Sequence, residues 1–230
     1  MIDFNQRHPG PELMDRQDLS KEDLFVNYRE LHQINKRLGG YQITQKGLSR
    51  LIVDKDRTYT ILDIGCGGGD MVNEMMLWGR KNNLELHLTG LDLSKTAIDY
   101  AAKNHPQLNW IHANAFDHLN SGAQYDVIMC TLLIHHFTEE KIIELLKLMQ
   151  KSCLTGIVIN DLQRHPLAYY SIRVLTELLS KSYLVRNDAP ISVLRGFKKQ
   201  EWKQMMEKAG ISSAVIQWKW AFRYLIVINR

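Results

Sequence analysis

From Tyr59 onward the chain alternates short apolar runs with segments whose apolar residues recur every three or four positions. The runs end at Ile64, Leu91, Asn114, Cys130 and Asp161, and the first, apolar up to an acidic residue, reads as a buried parallel strand. Helical spacing falls at roughly 70–82, 95–104, 139–152 and 166–180, the last started by Pro166 in a favourable first-turn position. Such alternation predicts an α/β fold, a doubly wound and mostly parallel sheet with helices on both faces. Two more β-rich runs, Ala214 to Lys219 and Tyr224 to Asn229, flank a short connection and read as a closing hairpin.

Ahead of the alternation, Leu24, Tyr28, Leu31 and Leu38 recur at helical spacing behind Ser20 and Asp23, a near capping box. Gly39-Gly40 ends that helix, and Thr44 to Asp54 reads as another short one. Residues 1–19 are polar and hold Pro9, Gly10 and Pro11, so they read as an extended arm. The chain thus divides into an arm with cap helices over 1–58 and a main domain over 59–230. Within the latter, 163–197 is longer than a plain crossover requires, and an inserted helix plus loop is the usual place for a substrate lid.

The densest local signal is Thr60-Ile61-Leu62-Asp63-Ile64-Gly65-Cys66-Gly67-Gly68-Gly69-Asp70, a strand that breaks into glycines and then a helix. A dinucleotide fingerprint needs glycine at its first, third and sixth positions, and counting from Gly65 the sixth is Asp70. That weakens a pyrophosphate reading. Downstream, Leu86 to Leu91 ends in Asp92, 23 residues after Gly69, near the interval of about 20 at which an acidic residue meets ribose hydroxyls in such folds. Asp92 also stands at a helix start, because Ser94 is a plausible N-cap; both roles are compatible.

The pattern Asp63-x-Gly65-x-Gly67-x-Gly69 resembles motif I of the class I S-adenosylmethionine-dependent methyltransferases. The resemblance implies a seven-stranded Rossmann-like sheet with an antiparallel last strand, and S-adenosylmethionine as cofactor with S-adenosylhomocysteine as product. It implies that Gly65, Cys66, Gly67 and Gly69 admit the methionine and ribose portion, that Asp63 orders the turn, and that Asp92 and Leu93 hold the ribose. Related enzymes commonly carry an aspartate-alanine pair at the third strand end; this chain has Asn114-Ala115, whose amide oxygen can still accept from adenine. Phe116 either packs on the purine or enters the core. Cys66 and Cys130 fall at strand ends near the implied cofactor and read as small apolar fillers. N-terminal helices of the kind expected over 20–54 cover the cofactor in that superfamily, or else complete the outer layer.

At the fourth strand end, Leu132-Leu133-Ile134-His135-His136-Phe137 lacks the Asn/Asp-Pro-Pro-aromatic signature of enzymes that methylate exocyclic amines of bases. It looks instead like the small-molecule group, including ubiquinone and menaquinone methyltransferases. The run from Asp161 through Phe197 is similar to bacterial methyltransferases encoded beside type III polyketide synthases. The resemblance implies a phenolic, polyketide-like or quinone-like aromatic acceptor, methylated on oxygen or on a ring carbon, in secondary metabolism. A cofactor-binding partner subunit without chemistry is the alternative from another class.

The candidate bases are His135 and His165, since an imidazole with a pKa of about 6.5 suits phenol deprotonation. His136 is the weaker neighbour, and bonding to backbone is the structural alternative for the pair. A metal site is not expected, because adjacent histidines are poorly spaced for joint ligation and no carboxylate cluster lies nearby in the sequence. Tyr169, Tyr170 and Ile172 face an acceptor or form core, and Arg164, Arg186 and Arg195 steer an acidic group or stay solvated.

Composition adds bounds. The 230 residues are 45% hydrophobic, which supplies a sizeable core, and the net charge of +4 is spread without a lysine- or arginine-rich block. Charge therefore neither suggests nor excludes nucleic-acid binding, and with the base-methylating signature absent no nucleic-acid partner is expected. The start lacks a basic segment followed by an apolar one, and no run of 18 apolar residues exists. Three cysteines, Cys66, Cys130 and Cys153, without ligand spacing point to reduced thiols in the cytoplasm.

Overall fold

A computed structural model of the chain describes residues 2–16 and 18–230. After a single 3-10 turn at Leu13–Asp15 come α1 (Lys21–Arg37), α2 (Gly40–Leu51), β1 (Tyr59–Ile64), α3 (Asp70–Lys81), β2 (Leu86–Asp92), α4 (Lys95–Asn104), β3 (Asn109–His112) and α5 (Ala115–Asn120). The chain continues through β4 (Tyr125–Thr131), α6 (Glu139–Ser152), β5 (Cys153–Leu162), α7 (Pro166–Leu179), α8 (Tyr183–Arg195), α9 (Lys199–Lys208), β6 (Ala214–Lys219) and β7 (Arg223–Asn229).

The strands form one sheet in the order β3-β2-β1-β4-β5-β7-β6. β1 to β5 pair in parallel, and β7 runs antiparallel between β5 and β6. This is the mostly parallel doubly wound sheet that the alternation implied, with the antiparallel last strand that the resemblance implied. Its order reverses between β1 and β4, so the crevice for a ligand opens at the carboxyl ends of those two strands.

Alternation along each strand builds two cores. Ile61 points toward α2 and α3 with Leu48, Val72 and Met75, while Leu62 and Ile64 point toward α6 and α9 with Leu145, Met149 and Trp202. On α6 the buried residues Ile142, Leu145, Leu146 and Met149 share one stripe, as a 3.6-residue period requires. Ser20, Ser94, Thr138 and Ser182 each accept a backbone N–H at a helix start, which fixes where α1, α4, α6 and α8 begin.

Four boundaries differ from the sequence expectation. α2 begins at Gly40 rather than Thr44, because Gly39 at φ +75° reverses the chain at once. β3 ends at His112, since Asn114 spends its side-chain oxygen on the Phe116 N–H, 2.8 Å away, to cap α5. The second half of the insertion, expected as a loop, is α8, with Pro190 inside it. The arm is stitched down rather than free: Arg164 donates to the carbonyls of Phe4 and Asn5, and the His8 N–H bonds the Leu194 carbonyl at 3.1 Å. Arg164 and Arg195 are accordingly buried rather than solvated. Among the described residues no helix is long and apolar enough to cross a membrane.

Candidate functional site

The turn after β1 is built on left-handed backbone at Gly65, Gly67 and Gly69. The N–H groups of Gly65 and Cys66 bond the Leu91 carbonyl, and the Gly67 N–H donates to Asp92 Oδ2 at 2.8 Å. Asp92 Oδ1 accepts from Ser94 N–H at 2.8 Å. Asp92, rather than Asp63, therefore orders the turn. A Cβ at Gly69 (φ +82°) would lie 2.4 Å from the Trp110 ring, whereas one at Gly67 (φ +52°) would meet nothing within 4 Å. Gly69→Ala is thus expected to cost about 3 kcal/mol, combining overpacking with left-handed strain, and Gly67→Ala about 1 kcal/mol from strain alone. Urea unfolding of the two variants side by side measures the difference.

Asp63 is buried at the end of β1 with no hydrogen-bond partner for its Oδ1. Burial, and then the charge of Asp92, push its carboxyl well above the usual range. Asp70, opening α3, is raised to about 6 by burial, which outweighs His32 at 3.3 Å. Asp92 is also raised by burial, against the two N–H groups it accepts. Three carboxylates thus stand around one glycine turn. An orphaned buried acid and an open Gly67 are what a ligand with cationic and hydroxyl groups would complete, so the residues present fit a cationic sulfonium nucleoside.

Asp63, Gly65, Cys66 and Gly67 line a cavity of about 400 Å³. Its roof comes from α1 (Leu31, Ile34), α7 (Ile172, Leu175) and α8 (Val185, Val193). Thr131 and Arg223 form part of its floor. Arg223 is buried; its Nη2 donates to Asn35 Oδ1 at 2.8 Å, and its Nη1 has no partner. Burial lowers this guanidinium to about 10, opposed by Asp161 and Tyr41.

His135 also lines the cavity, but not as a free base. Its Nδ1–H donates to Asp161 Oδ1 at 2.7 Å, and its Nε2 lies 3.4 Å from Glu12 Oε1. Burial alone would lower the imidazole, yet Asp161 and Glu12 outweigh it and raise it to about 9. Both ring nitrogens thus face carboxylates, one from the arm and one from the end of β5. His165 stands apart: its Nδ1 caps α7 by accepting the Leu167 N–H, and its ring stacks on Phe222 at 5.1 Å, outside the cavity.

The remaining expected residues separate. Cys130 is in the core beside α6, because the strand's alternation turns it away from the crevice; the next residue, Thr131, faces in. Leu93, Asn114 and Ala115 sit at the ends of β2 and β3, outside the cavity wall, with Leu93 exposed. Phe116 packs edge-on to Phe137 against the core. Of the lid aromatics, Tyr169 packs on Phe4 and Tyr170 is exposed, while Ile172 faces the cavity.

Sequence reasoning gave Glu12, Asp15 and Arg7 no role in the site. Glu12 Oε1 accepts from Ser192, and Asp15 lies 3.2 Å from His136 Nδ1. Asp188 accepts the N–H groups of Leu13 and Met14, which holds this part of the arm. Arg7 and Arg195 both donate to the His135 carbonyl. No local pattern marks these arm residues. Asp161, at a strand end, was within reach of the rule that nominates such ends.

Residues 61–156 match a family described as a methyltransferase domain. O-methyltransferase 12 of Dictyostelium discoideum is 26% identical over 157 residues, covering 66% of this chain and 38% of that protein. A ubiquinone biosynthesis O-methyltransferase of Vibrio vulnificus is 29% identical over 119 residues, covering 50% of this chain and 45% of its own. The matches thus span less than half the length of these two relatives. The plantazolicin methyltransferase BpumL, solved in complex with SAH, superposes with a TM-score of 0.66 at 20% identity, covering 93% of this chain and 92% of that one. At such identity the likeness is one of fold.

Proposed function

We propose that the chain is a class I S-adenosylmethionine-dependent methyltransferase that transfers a methyl group to a small phenolic, polyketide-like or quinone-like acceptor, on oxygen. The observation that carries this reading is the ring of Asp63, Asp70 and Asp92 around a glycine turn that opens into an apolar cavity. Three acidic side chains are poor hosts for the pyrophosphate of a dinucleotide and suit a cofactor bearing an ammonium, a sulfonium and a ribose, whose positive charges favour their ionised forms.

When bound, S-adenosylmethionine supplies a methyl already activated by a positive sulfur. The protein's work is then placement and exclusion of water. Asp63 offers a buried acceptor to the cationic portion, and Gly67 leaves room for close approach. Asp92 keeps lone pairs for ribose hydroxyls while holding the turn, and Asn114 with Ala115 borders the adenine side. Leu31, Ile34, Ile172 and Leu175 shape an apolar slot for a flat ring. The unpartnered Nη1 of Arg223 anchors an acidic oxygen of the acceptor and favours its ionised form. In this reading the arm and helices of 1–58 cover a cofactor domain of 59–230, and 163–197 acts as the lid over the acceptor.

Calorimetric titration with S-adenosylhomocysteine tests the cofactor half. Micromolar binding is expected, weakened about 30-fold in Asp92→Ala as charged hydrogen bonds are lost. Methylated products of alkylresorcinols, naphthols or quinols, read by mass spectrometry, test the acceptor half. Binding of NADH in place of S-adenosylhomocysteine would overturn the proposal.

A further inference from the structure

Glu12, His135 and His136 converge on the cavity wall, and methyl transfer as described leaves them unused. His135 Nε2 stands 3.4 Å from Glu12 Oε1, and His136 Nε2 stands 3.7 Å from Glu12 Oε2. One donor atom from each residue falls within 4.8 Å of the others. With metal–ligand bonds of about 2.1 Å, neighbouring donors sit roughly 3.0–3.4 Å apart, so donors up to 4.8 Å apart would close a shell by approaching one another by up to about 1.4 Å through side-chain rotation.

The outer shell is also built. Each histidine presents Nε2 toward Glu12 and gives its Nδ1 to a different carboxylate, His135 to Asp161 and His136 to Asp15. A carboxylate on the far nitrogen is the usual device that fixes tautomer and ring orientation in a metal-bound histidine. Asp161 is itself held by the N–H of Leu162 at 2.7 Å, and Glu12 by the Ser192 hydroxyl at 2.8 Å. The main chain of the histidine pair is clamped by Arg7 and Arg195. Glu12 and His135 are only 3% and 2% exposed, so this is not a solvated surface cluster. The spacing along the chain that argued against a metal is beside the point, because adjacent histidines aim their Nε2 atoms at one carboxylate supplied by the arm.

We propose that Glu12, His135 and His136 form a site for a first-row divalent cation of the zinc or manganese class, with its open positions facing the cavity. Two imidazoles and a carboxylate suit such ions, and leave room for water or a substrate oxygen. Resting on the methyl-transfer reading, the ion would bind the acceptor hydroxyl as a Lewis acid: the O–H bond ionises, its proton leaves to solvent, and the oxygen keeps the electron pair for attack on the methyl carbon as the carbon–sulfur bond breaks. This supplies the activation that His135, occupied by Asp161 and Glu12, does not provide as a free base.

The test uses the untagged full chain, stripped with chelator and titrated with Co²⁺ and Zn²⁺, with S-adenosylhomocysteine affinity measured on the same samples. One equivalent of Co²⁺ is expected, with a visible d–d spectrum that changes when an alkylresorcinol is added. His136→Ala, the milder change because this ring is partly exposed, and Glu12→Gln should each weaken Co²⁺ binding about 100-fold. Thermal melts confirm that the variants fold. Metal uptake without S-adenosylhomocysteine binding would sink the methyl-transfer reading and leave the site standing. Folded wild type that binds S-adenosylhomocysteine but takes up no stoichiometric Co²⁺ or Zn²⁺ would overturn the site, as would uptake unchanged in both folded variants.

Discussion

Replacing Asp63 by asparagine will weaken S-adenosylhomocysteine binding about 100-fold while making the ligand-free protein more stable by about 1–3 kcal/mol. The two effects share one cause. Asp63 Oδ1 is buried without a partner, so the free protein carries an uncompensated carboxyl group, costly to ionise, that a cationic ligand would satisfy. The pH dependence gives the sign. Because the folded-state carboxyl is raised, the folded chain binds the proton more tightly than the unfolded one, and wild-type stability is lost as pH rises from about 4 through the folded value. The variant lacks that loss, so its advantage should be absent at pH 4 and grow toward pH 8. Urea unfolding across that range, beside calorimetry, measures both. A variant less stable than wild type at pH 8, or one with unchanged affinity, would show that Asp63 is a structural acid.

Arg195→Met should be among the most destabilising single changes in the chain, at about 3–5 kcal/mol. The buried guanidinium donates from Nε to the His135 carbonyl at 3.0 Å, from Nη2 to His136 at 2.7 Å and from Nη1 to Gly10 at 2.5 Å. Methionine fills much of the volume but leaves three carbonyls without these donors. For a chain of this size the melting midpoint should fall by about 10 °C or more. Since one of the three bonds ties the arm to the histidine loop, residues 2–16 should also become sensitive to protease before the sheet unfolds. A midpoint within about 2 °C of wild type, with the arm still resistant, would refute this clamp.

These outcomes mark where sequence pattern was sufficient. The glycine turn, Asp92 behind it and the buried runs that became β1, β2, β4 and β5 were legible, because strand alternation, helical period and left-handed glycine act within a few residues. Asn114 shows how a local rule can be read two ways: the same amide oxygen suits adenine or a helix cap, and the backbone of Phe116 takes it. The boundary of β4 shows the cost of a one-residue shift, since strand alternation exchanged Cys130 for Thr131 at the crevice.

The sequence alone therefore determined the sheet, its crevice and the glycine turn, all products of short-range periodicity and backbone conformation. Only the tertiary structure decided what His135 is. Its partners come from residues 12 and 161, one in the N-terminal arm and the other 26 residues further along at the end of β5. Burial and the opposing charges set its protonation, and neither quantity exists until the arm, β4 and β5 have been brought together.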